Sequence, residues 1–96
     1  MIIRLFKAKV NKGMEAAFEK DFVAFSRPLI EGMAGVKSVS ISKPTDLSSG
    51  EYMMISVWES YEAIEAAIGA GWREAHIPDN MAKYFEAFSL EHLEEL

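Results

Sequence analysis

The chain has 96 residues, half of them apolar and about a quarter charged, with a net charge of −5 and no cysteine. This length and mix describe one small globular domain, taken here as residues 1–96. The acidic balance, with no Lys/Arg cluster inside it, excludes a nucleic-acid binder, and the lack of cysteine excludes disulfides and thiolate metal sites. The first ten residues, MIIRLFKAKV, are too short and too charged for a signal peptide or a membrane span, so a soluble, cytoplasmic protein is expected.

Residues 2–10 alternate as a strand. Ile2, Arg4, Phe6, Ala8 and Val10 share one face, and Ile3, Leu5, Lys7 and Lys9 the other. The run NKG breaks the strand. Residues 14–30 carry an apolar stripe of Met14, Phe18, Phe22, Phe25 and Leu29 at helical spacing, with Pro28 bending or breaking the last turn. Residues 36–43 and 51–58 read as two strands joined into a hairpin by the polar loop PTDLSSGE. Ser60 is placed to cap a helix whose buried stripe is Tyr61, Ile64 and Ile68, ended by GAG at 69–71. A short turn over 72–76 stops before Pro78, which opens another helical turn to about residue 83. The tail KYFEAFSLEHLEEL has helix-forming composition, but it also alternates, Tyr84, Phe88 and Leu90 against Phe85, Ala87 and Ser89. It is read as a strand, because strand–helix–strand–strand–helix lacks one member of a split βαβ fold.

The expected fold is therefore α+β: a ferredoxin-like βαββαβ with a four-stranded antiparallel sheet. Two helices cover one face of such a sheet. The other face is also apolar, with Met53, Ile55 and Val57 set against Tyr52, Met54 and Trp58. Something must cover it, and a second copy packed sheet to sheet is the simplest cover, with a large ligand as the rival.

The run ISVWESYEAIEAAIGAGWREAH resembles the antibiotic biosynthesis monooxygenase family, and with the first strand, NKG and EGMAGVKSVSIS the resemblance spans nearly the whole chain. It implies a homodimeric α+β barrel. It further implies one of three activities: cofactor-free oxygenation of a small aromatic or quinol-type molecule, heme binding with or without heme degradation, or small-molecule binding without catalysis. The heme-degrading branch is marked by an asparagine on the first strand, a tryptophan on the second long helix and a histidine ligand beyond it. Here His76 stands at the histidine, Ala67 at the tryptophan, and Phe6 or Lys7 at the asparagine.

On the oxygenase reading His76 is the base or an orienting group, assisted by Tyr52, whose hydroxyl could orient a substrate, and by Arg4, a cation on the inner sheet face. Phe6, Phe22, Met54, Trp72 and Phe88 would wall the substrate pocket. His92, among acidic neighbours, is read as a surface or interface residue, and Trp58 as core or interface. No metal constellation and no phosphate-binding loop is present, so no metal and no cofactor is expected, heme being the alternative.

Overall fold

The computed structural model describes residues 1–96. Strand β1 (Ile2–Val10) lies inside a four-stranded sheet of order β2-β3-β1-β4, with β2 Val36–Ser42, β3 Tyr52–Trp58 and β4 Phe85–Glu94. All three pairings are antiparallel. With helices between β1 and β2 and between β3 and β4, this is the ferredoxin-like βαββαβ arrangement. No helix is long and apolar enough to cross a membrane.

The first helical stretch is continuous but not uniform. Helix α1 (Glu15–Asp21) runs into a π-helical turn (Phe22–Ser26) and then into α2 (Arg27–Glu31). Proline has no amide hydrogen, and its ring would strike the carbonyl one turn back in a regular helix. The widened turn ahead of Pro28, closed by the Arg27 N–H on the Phe22 carbonyl, lets the helix run on instead of ending. The expected stripe shifts as a result. Phe18 and Phe22 are buried, whereas Phe25 and Leu29 are 38% and 40% exposed. Ser26 and Ile30 turn inward instead.

Helix α3 (Tyr61–Ile68) is capped as expected: the Ser60 hydroxyl accepts from the Ala63 N–H at 3.1 Å. Ile64 is fully buried. Tyr61 is not: it is 38% exposed, and its ring meets Trp72 at 5.4 Å and, from the sheet, His92 at 6.4 Å. Gly69, with φ of 107°, ends α3 in a conformation that disfavours a side chain. Residues 72–76 form turns, and Pro78 caps the single helical turn α4 (Asp79–Ala82).

Helices and sheet enclose two apolar clusters. One gathers Phe18, Phe22, Val39, Tyr52, Met54, Met81 and Tyr84 under α1 and the π turn. The other gathers Ile2, Trp58, Ile64 and Trp72 under α3. The polar residues Arg4 and Ser56 face each other across β1 and β3 on this same buried side. Ser56 is satisfied by the Trp58 indole N–H, at 2.9 Å. The opposite face of the sheet has no cover within the chain. It presents Ile3 and Leu5, paired with Val57 and Ile55 on one side and with Leu93 and Glu91 on the other, and Lys7 there meets Glu91 at 3.3 Å.

Candidate active site

Between the two clusters lies a cavity of about 140 Å³. Its floor is the sheet, through Arg4, Phe6, Met54 and Leu90. The helical side comes from Phe22, Ser26, Leu29 and Ile30, and the mouth from Ala75, His76, Ile77 and Pro78. The π turn brings Ser26 to this wall, and the irregular chain after Gly69 brings His76 to the rim. Of the seventeen lining residues, thirteen are hydrophobic, so its few polar groups decide its chemistry.

Arg4 is the charged group of the interior, only 7% exposed. Its Nη1 donates to the Trp72 carbonyl at 2.5 Å and its Nη2 to the Glu74 carbonyl at 3.3 Å, which ties the 72–76 segment to β1. Nη1 also lies 2.8 Å from His92 Nε2. An arginine only donates, so Nε2 must accept and His92 is neutral with its proton on Nδ1. Burial holds the His92 pKa below its ordinary value, and the neighbouring Arg4 charge adds to the effect. Burial likewise lowers the Arg4 pKa, though a guanidinium in a protein remains charged.

The structure brings Arg4, Phe6, Phe22, Met54 and His76 together around one cavity. His76 is exposed at the rim. Three other expected residues stand elsewhere. Tyr52 is buried, but its hydroxyl points to the far side of the first cluster and donates to Glu19 Oε2 at 2.6 Å. Burial, and then that carboxylate, push its pKa well up, so it stays protonated. Trp72 plugs the second cluster beside Ile2, Trp58 and Ile64, with its indole N–H on Glu65 at 3.2 Å. Phe88 lies 51% exposed at the sheet edge, where its ring reaches Phe6 at 6.3 Å.

A β-bulge moves Phe85, while Phe88 keeps its expected face opposite Ala8. The pairing of β1 and β4 shifts between Lys9 and Val10, so Phe85 and Phe88 both flank the helix side of the sheet. Phe85, expected on the other face, takes the wall position, with its ring 5.7 Å from Phe6. The bulge leaves no mark in an alternating sequence. His92, expected at the surface or an interface, is the other departure, because it meets Arg4 inside the chain. Its position four residues after Phe88 was the available signal, because both then share the face that Arg4 occupies. Lys7 and Lys9 fall on the uncovered face, away from the cavity.

A split βαβ sheet with an apolar cavity beneath its helices defines a ferredoxin-like α+β protein with an internal small-molecule-sized site. More narrowly, the chain belongs to the antibiotic biosynthesis monooxygenase family, whose model matches residues 1–75. The match ends one residue before His76. No curated protein matches the sequence. Among solved structures, it is similar to a candidate antibiotic biosynthesis monooxygenase from Nitrosomonas europaea (16% identity, TM-score 0.76, covering 100% of this chain and 99% of that one). It is also similar to the heme-degrader MhuD from Mycobacterium tuberculosis, solved with two hemes in its active site (23% identity, TM-score 0.73, covering 100% and 96%). A third is a candidate monooxygenase of the same family from Bordetella bronchiseptica (22% identity, TM-score 0.69, covering 99% and 96%). At these identities the likeness is one of fold.

Proposed function

We propose that this protein is a cofactor-independent monooxygenase of a small phenolic or quinol-type molecule, working as a homodimer. The observation that carries the reading is the cavity: narrow, apolar, with one buried cation inside and an imidazole at its mouth that makes no hydrogen bond within the chain. An apolar cavity of roughly 150 Å³ accepts a benzene ring, so about 140 Å³ fits a single ring.

In this reading His76 takes the proton of a ring hydroxyl. Arg4 supplies the positive potential that favours the resulting anion, and Phe6, Phe22 and Met54 hold the ring and exclude water. In this reading the anion, more electron-rich than the neutral phenol, is itself the reductant of dioxygen. For a phenol with a free para carbon the balance closes without an external reductant. One oxygen atom forms the new carbon–oxygen double bond at that carbon. The oxygen–oxygen bond breaks, and the second atom leaves as water with the hydroxyl proton held by His76 and the hydrogen from the para carbon. The products are a para-quinone and water. Tyr52, Trp72 and Phe88 have no part in this scheme.

Heme is the alternative that His76 and the likeness to MhuD suggest. His76 is the ligand it would need, but the size of the cavity and two positions along the chain favour the single ring. Sites for drug-sized ligands span about 300–1,000 Å³, and a porphyrin needs more than a cavity of about 140 Å³. Phe6 or Lys7 stands where the resemblance puts an asparagine in that branch, and Ala67 where it puts a tryptophan. The homodimer is supported by the uncovered face carrying Ile3, Leu5, Ile55 and Leu93, a continuous apolar surface that a second copy would bury.

Quinone formation followed by absorbance, with a panel of single-ring phenols and quinols and no added cofactor, tests the proposal. Turnover is expected in the wild type and about 10²–10⁴-fold less in His76→Ala. Turnover unchanged in His76→Ala would remove the assigned base.

A further inference from the structure

We propose that the molecule held in the cavity carries a carboxylate, and that this carboxylate docks on Arg4. The inference rests on the cavity being the binding site and narrows its occupant to a monocyclic acid.

Arg4 is a buried cation without a counter-charge. The ion pairs of the chain are Lys7–Glu91, Arg27–Glu31 and Lys37–Glu59, and none includes it. Its three partners, two carbonyls and a neutral imidazole, satisfy hydrogen bonds but carry no negative charge. A buried charge is costly unless it is paired as well as hydrogen-bonded. The cost is local, since the chain as a whole is acidic at −5 yet places no carboxylate within ion-pairing reach of Arg4. Desolvation is the cause of the lowered Arg4 pKa, which fits a charge still awaiting its partner.

The geometry of the free donors narrows the partner further. Nη1 is spent on Trp72 and His92, and Nη2 on one long bond to Glu74. The Nε–H has no partner within the chain, and together with the second Nη2–H it forms the edge of the guanidinium that pairs a carboxylate with two parallel bonds. Arg4 lines the cavity, and in this proposal an acid bound there turns its carboxylate to that edge, with its ring among Phe6, Phe22, Met54 and Phe85. A second copy of the charge at the mouth is not needed. A ring hydroxyl on the same molecule remains available to His76, and the substrate class is then a hydroxybenzoate with the carbon para to its hydroxyl free.

Three probes of one size test this: benzoate, benzamide and phenol, titrated at neutral pH into the full-length protein and followed by nitrogen-15 NMR. Benzoate is expected to bind saturably and about tenfold to a hundredfold more tightly than either neutral probe, the range of a hydrogen-bonded charge pair. It is expected to shift the Arg4 Nε–H resonance, and Arg4→Gln is expected to bring benzoate down to the level of benzamide. Equal binding of all three, or benzoate binding with the Arg4 Nε–H unmoved, overturns the carboxylate inference and leaves the cavity as a neutral-ring site. Failure of all three to bind overturns the cavity reading too. The Nε–H readout uses the wild type, so the test survives if Arg4→Gln does not fold.

Discussion

Filling the cavity should raise stability and abolish binding together. Ser26 is the position for it. Its side chain faces the cavity from the π turn, its hydroxyl has no partner within the chain, and leucine is the better helix former. Leaving a void of this kind costs about 24 cal/mol per Å³, so about 140 Å³ sets a ceiling of roughly 3 kcal/mol. Ser26→Leu adds about three carbons to a largely apolar space, at ~0.8 kcal/mol per buried methylene. Partial exposure of the mouth reduces this to about 1–2 kcal/mol. For a chain of this length that is a rise in Tm of roughly 5–15 °C. The assay is a thermal melt beside a benzoate titration. Stabilisation with loss of binding is the signature of a site kept open for function. A variant that melts lower and still binds would show that the space is an ordinary packing gap and that ligands sit elsewhere.

Other consequences are open to measurement. His92 has a folded pKa below its ordinary 6.5, so the unfolded chain binds more protons as pH falls through that range; the stability it contributes is present above about pH 6.5 and is lost as pH falls through the folded value. Wild type should therefore lose stability between pH 7 and 5 relative to His92→Gln, which keeps an acceptor for Arg4 but does not titrate; parallel denaturation curves would refute this. Gly35→Ala places a Cβ 2.7 Å from the Ala63 Cβ at a φ of 88°, and should cost about 1–3 kcal/mol in urea unfolding, with no effect being the contrary result. Tyr52→Phe removes only the bond to Glu19, so stability should fall by about 1 kcal/mol and benzoate binding should not change. Ile55→Asp, on the uncovered sheet face, should convert a dimer to a monomer by light scattering, whereas a monomeric wild type would contradict the dimer proposal.

Most of the fold was legible because its signals are local and repeated. Alternation in β1 and β3, the Ser60 cap and the glycine after α3 each state their element directly. The last strand needed a global argument, since its Glu, Ala and Leu content favours helix, and sheet completion decided it. The helix phase was missed after Phe22. A proline signals disruption, but not that a single widened turn will absorb it, leave Phe25 and Leu29 partly exposed and bring Ser26 and Ile30 to the cavity wall. The site was legible where alternation reached it, as for Arg4, Phe6 and Met54. It was not legible where an irregularity intervened, as for Phe85 at the bulge, or where a pair is remote in sequence, as for Arg4 and His92. Tyr52 shows the limit of face assignment: it lies on the correct face, but which neighbour its hydroxyl meets depends on the packing of α1.

Turnover of a hydroxybenzoate under oxygen-18 gas, in protein free of added cofactor, is the measurement that shows whether this chain adds oxygen from dioxygen to its ligand. One labelled oxygen atom is expected in the quinone product and the other in water for each dioxygen consumed. Product formed with unlabelled oxygen, or no dioxygen consumption by a protein that binds the acid, would contradict the proposed function.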